Sequence, residues 1–198
     1  MADTNLTWQG KVIGVQPRIR LTRSFDQRYH TYLGYVLHLH GQIDDQERTF
    51  LVSIGKAAQA KYQFQAGDAV SGQSVPVEEP RLEPAEYYKT SGLKIINRAS
   101  VTDRLPPPWQ GPPPELEVYQ ARGHRRLSAR TYAAKCVECI WGCRMAVEMI
   151  IDHWNPQQRR YRTETFCYGP KSCPFYQAGA ARTVPGRKGM VWQEDDWV

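Results

Sequence analysis

The chain has 198 residues, 41% of them hydrophobic, and a net charge of +6. That length and apolar content suit one large domain or two small ones with a real core. No run of about 18 apolar residues is present, which argues against a transmembrane helix. The opening Met-Ala-Asp-Thr-Asn-Leu-Thr lacks the basic-then-apolar order of a signal peptide, so a cytoplasmic location is expected.

Residues 1–104 carry a β pattern. Ile13, Val15, Pro17, Ile19 and Leu21 share one face of an extended segment, with Arg18 and Arg20 on the other. After a polar turn, Leu33, Tyr35, Leu37 and Leu39 alternate with Gly34, Val36, His38 and His40, the period-2 signature of a half-buried strand. Thr49 to Ile54 reads as a third strand and Lys56 to Phe64 as a short helix. A turn then enters a fourth strand ending near Val77, and Leu93 to Asn97 is a fifth.

Four or five strands with a small helix after the third, and the phrase Phe64-x-x-Gly67-Asp68-x-Val70-x-Gly72, resemble an OB-fold barrel over about residues 8 to 100. The resemblance implies an open face that binds single strands or structured RNA. Arg18, Arg20, Tyr35 and His38 are then candidates for that face, although Tyr35 alternates with leucines and reads as core. His38 and His40 share a face without a third ligand and read as surface histidines.

Leu105-Pro-Pro-Pro-Trp-Gln-Gly-Pro-Pro-Pro-Glu115 breaks the pattern. Two proline triplets form neither helix nor central strand and favour an extended spacer. Three parts result: a barrel at 1–104, a polyproline linker at 105–118 and a basic cysteine-rich module at 119–198. In the last, Ala129 to Trp154 reads as largely helical, stopped by Asn155-Pro156. Arg160 to Phe166 alternates as a strand that delivers Cys167, and Trp192 and Trp197 pack the irregular remainder. The expected class is α+β: a small OB-like β-barrel followed by a metal-stabilised helix-plus-strand module.

All five cysteines lie in that last part: Cys136, Cys139, Cys143, Cys167 and Cys173. In a reducing compartment such clustering favours metal ligands over disulfides. On a helix, Cys136, Cys139 and Cys143 fall on one face, and Cys173, followed by Pro174, supplies a remote fourth. Three close cysteines and one remote suit a [4Fe–4S] cluster, which is preferred. Zn2+ is the alternative, with Cys136-x2-Cys139 and Cys167-x5-Cys173 as two pairs. His153 reads as a helix-end partner rather than a ligand. Residues 119–189 hold thirteen Lys or Arg against four acids, whereas residues 1–118 are balanced at thirteen each. The excess charge sits with the cysteines and favours polyanions.

The sequence contains no recognisable catalytic constellation. The favoured function is binding of single-stranded DNA or RNA. The segments Arg122 to Arg130 and Arg159 to Arg162 are the basic stretches. Candidate phosphate contacts are Arg18, Arg20, Arg125, Arg126, Arg130, Arg159, Arg160, Arg162 and Lys171. The alternatives are an iron–sulfur redox protein, and a scaffold subunit that docks protein partners through the proline segment or the acidic Trp-rich tail, Val191 to Val198.

Overall fold

The computed structural model describes residues 5–100 and 105–193. Strands β1 (Leu6–Arg23), β2 (Arg28–Ile43) and β3 (Gln46–Ile54) are followed by helix α1 (Lys56–Tyr62). Next come β4 (Ala69–Pro76), a turn of 3₁₀ helix at Pro80–Leu82 and β5 (Tyr87–Asn97). Helix α2 (Leu116–Arg122) leads to β6 (Arg125–Arg126) and to α3 (Ala129–Thr131), which runs into a π-helical turn, Tyr132–Cys136. The chain then forms β7 (Gly142–Ile150), β8 (Arg159–Cys167), and the short pair β9 (Thr183–Pro185) and β10 (Val191–Gln193).

Eight strands form one sheet in the order β2-β3-β5-β4-β1-β7-β8-β6, and β1 also pairs with β2. The pairing therefore closes a circuit through β1, β2, β3, β5 and β4. The length of β1 allows this sharing. Leu6 to Lys11 pair with β4, Arg20 to Arg23 pair in parallel with β7, and β2 lies along nearly the whole strand. A register shift between Val12 and Gly14 makes Val12, rather than Ile13, join Val15 in the core.

The glycine phrase that leads into β4 has concrete duties. Asp68 is fully buried and accepts from the Gln65 and Ala99 backbone N–H groups and from Arg98. A Cβ on Gly72 would lie 2.6 Å from the Trp8 ring.

The expected α+β class, a small barrel followed by a helix-plus-strand module, is corrected. Of the described residues, 49% are strand and 15% helix, so the structure is mostly β. The helix expected over 129–154 survives only as Ala129–Cys136, and Gly142–Ile150 is instead the strand β7 between β1 and β8. Cys143, Met145, Val147 and Met149 join Val15, Ile19, Leu21 and Leu37 in one apolar core, as do Leu116 and Tyr119 of α2. Burying that face against β1 outweighs helical propensity, because each fully buried side chain contributes about 1.5–3 kcal/mol.

The proline segment lies against this body. Ala66 and Ile140 donate backbone bonds to the Gln110 and Trp109 carbonyls, and Tyr35 donates its hydroxyl to the Pro114 carbonyl. Tyr35 is thereby buried, as its alternation with leucines requires. His38 is buried as well, unlike the exposed His40. Trp197 and the acidic end of the tail lie outside the described residues. No helix among the described residues is long and apolar enough to cross a membrane.

Candidate functional site

The loop from Cys136 to Gly142 is seated on the outer face of β1 by Gln16. This buried amide donates to the carbonyls of Cys136 (2.8 Å), Val137 (3.1 Å) and Cys139 (3.0 Å), while its oxygen accepts from the Tyr132 hydroxyl at 2.6 Å. Tyr119 donates to the Ile140 carbonyl at 2.7 Å. The approach is close enough to require glycine twice. A Cβ on Gly14 would meet the Val137 carbonyl at 2.6 Å, and one on Gly142 the Cys136 carbonyl at 2.6 Å. Gln16 was not anticipated from the sequence. Its only signal is a neutral amide on a strand face otherwise carrying Arg18 and Arg20.

Cys167 ends β8 opposite Gly142, and Cys173 follows on a turn closed by its N–H to the Pro170 carbonyl. Cys136, Cys139 and Cys167 pack together with Trp141 and Tyr176 at their edge. Cys173, half-buried, lies within electrostatic reach of Cys136 and Cys167. All five cysteines are free thiols. Among the described residues no three His, Cys, Asp or Glu side chains are drawn closely enough to form a finished coordination site.

Burial, and then the sulfurs of Cys139, Cys167 and Cys173, push the Cys136 thiol up to about 12. Burial also raises Cys139 and Cys167. Hydrogen-bond donors oppose that rise. Hydrogen bonding from the Trp141, Trp109 and Gly142 backbone lowers Cys139 against that burial. The Gly169 N–H lies 3.3 Å from the Cys167 sulfur, and Arg125 lies 3.9 Å from it.

Cys143 is apart from this group. Adjacent strand residues point to opposite faces. Cys143 pairs with Phe166 on the core face, whereas Cys167 pairs with Gly142 on the other. Cys143 has no exposed surface, and its sulfur faces the Pro17 carbonyl at 3.4 Å. The helical face expected to join Cys136, Cys139 and Cys143 does not exist, because the chain is extended from Gly142 onward. His153 also lies elsewhere, 3.3 Å from Asp26.

The basic residues fall in four places. Beside the cysteines, Gln120 to Arg125, Tyr168, Gly169 and Lys171 line a groove of about 520 Å³ with no acid in its wall. Arg122 lies over Trp141 at 4.5 Å, Arg125 over Tyr176 at 4.0 Å, and Lys135 over Phe175 at 5.6 Å. Arg125 also donates to the Gly169 and Pro170 carbonyls, and Lys171 is exposed. His124 is held down to about 3, first by burial and then by His30, Arg28, Arg126 and Arg23, so it adds no charge at neutral pH.

Arg159, Arg160 and Arg162 lie at the far end of β8 from Cys167. Arg159 pairs with Glu148 and Arg162 with Glu164, whereas Arg160 is exposed. Arg126 is buried and donates to the Ala180 carbonyl, and Arg130 is exposed at α3. Arg18 is bound bidentately by Glu83, and Arg20 donates to the Leu82 carbonyl. These two therefore tie β1 to the loop before β5. No protein family, curated protein or solved structure matches the chain.

Proposed function

We propose that the protein binds single-stranded DNA or RNA and that a metal held by its cysteines orders the binding surface. The observation that carries this reading is the groove lined by Arg122, Arg125 and Lys171, free of acids and adjoining the cysteine loop. Three cations in one wall attract phosphates, and cations laid over Trp141 and Tyr176 present flat amphipathic surfaces at its edge. Of the sequence candidates, Arg125, Arg130, Arg160 and Lys171 remain as phosphate contacts, joined by Arg122. In this reading the protein works in the reducing cytoplasm, where its thiols stay available to metal.

The test is fluorescence anisotropy with labelled single-stranded DNA and RNA over a salt series. Binding is expected at micromolar protein or below, weakening steeply with salt because phosphate contacts release counterions. Replacing both Arg122 and Lys171 by Ala is expected to weaken binding about tenfold or more and flatten the log–log salt slope by about 1 to 2. The Arg18→Ala change leaves that slope alone. No salt-sensitive binding of either nucleic acid would sink the proposal.

A further inference from the structure

We infer that Cys136, Cys139, Cys167 and Cys173 are the ligands of one structural Zn2+ ion, and that Cys143 is not a ligand. The inference rests on the metal part of the reading above and goes beyond it by naming the ion and its donors. Two turns offer two thiols each, one within the loop on β1 and one spanning the end of β8 and the Pro170–Cys173 turn. Pairs of thiols from two separate turns supply a tetrahedral zinc held by four thiolates, here with a Cys-x2-Cys spacing and a wider Cys-x5-Cys one.

The [4Fe–4S] pattern needs Cys143 as its third close cysteine, and the β pleat turns that sulfur into the core. Reaching the other thiols would require Cys143 to leave the face it shares with Met145 and Val147. That would break the register of β7 with β8.

The surroundings suit a doubly negative tetrathiolate centre. The Gly169 backbone N–H already faces the sulfur of Cys167, and Arg125 stands beside it. Such outer donors orient ligands and offset their charge. Arg122 and Lys171 in the adjoining groove add positive potential. The backbone that carries Cys136 and Cys139 is already held by Gln16, and the ion draws the four sulfurs together on binding. Binding displaces the thiol protons to solvent as the ion takes the thiolates.

The experiment is elemental analysis of the full chain, purified without chelator, together with Co2+ titration of metal-stripped protein. One zinc per chain is expected, in colourless protein without acid-labile sulfide. Co2+ should give the visible spectrum of a tetrahedral thiolate site. Cys143→Ala should keep its zinc and that spectrum. Cys173→Ser, altered on a half-buried turn, should remain folded by circular dichroism and lose zinc to a chelator that wild type resists. Iron with inorganic sulfide in the wild type, loss of metal on the Cys143→Ala change, or no stoichiometric metal would each overturn the assignment. These readouts contain no nucleic acid, so failure of the binding proposal leaves distinct traces: a zinc-loaded protein with no salt-sensitive affinity.

Discussion

At the scale of single residues, Gln16 decides the shape of the cysteine loop. One buried amide places its two N–H groups among three carbonyls and accepts from one hydroxyl. Replacing it with Leu takes this donor from the Val137 carbonyl and this acceptor from the Tyr132 hydroxyl, and leaves the Cys136 and Cys139 carbonyls only the backbone N–H groups of Cys139 and Gly142, at about 1–3 kcal/mol for the loss. The expected result for Gln16→Leu is a stability lower by about 2 kcal/mol and metal held about tenfold or more weakly. Chemical denaturation and competition with a chelator measure the two effects. Little of this was legible in the sequence, because a hydrogen bond between residues 120 apart leaves no local periodic mark. The cysteines themselves were legible as a set, since thiols confined to one stretch are distinctive. Which thiols share a side depended on whether the backbone around Cys143 is helix or strand.

At the scale of elements, β7 shows why that choice misleads. Met145-Ala-Val-Glu-Met-Ile150 is rich in good helix formers. The i, i+3, i+7 cysteines add an apparent helical face. Yet Cys143, Met145, Val147 and Met149 also alternate, and it is that alternation which packs between β1 and β8. The deciding interaction is parallel pairing with Arg20 to Arg23, more than 120 residues away, which local propensity does not encode. The strands before residue 100 were readable from their apolar alternation, although β2 is buried on both faces from Gly34 to Leu39 and a register shift puts Val12 in the place of Ile13.

A strand makes a specific demand at neighbouring positions. Met145→Ala is expected to cost about 3 kcal/mol through the cavity it leaves, whereas the exposed Arg144→Ala stays within about 0.5 kcal/mol of wild type. Equilibrium unfolding of the two variants tests this. Equal effects at both positions would contradict the placement of β7.

At the scale of the whole molecule, two histidines couple the fold to pH. Burial, with Arg144 nearby, holds His38 at about 4, and burial beside His30 and three arginines holds His124 at about 3. In the unfolded chain both return to about 6.5. Their neutral burial therefore favours the folded state fully above pH 6.5. It is lost as pH falls from there towards 4 for His38 and towards 3 for His124, because the unfolded chain takes up protons first. At pH 5 the expected loss is about 2 kcal/mol for each histidine. Denaturant midpoints at pH 7 and pH 5 measure it, and the drop should shrink in His38→Gln. A midpoint that does not fall on acidification would show that neither ring is buried neutral.

The proline segment has a consequence for how affinity is assembled. A flexible tether lets two modules engage a ligand one after the other, multiplying weak contacts through effective concentration. Here the segment is bonded on one side to Tyr35 and Ala66 and on the other to Ile140, and a common core lies beneath it. The two halves therefore have no independent reach. Whatever the protein binds meets a single fixed footprint, whose spacing is set by β1 and β7 rather than by the length of a spacer.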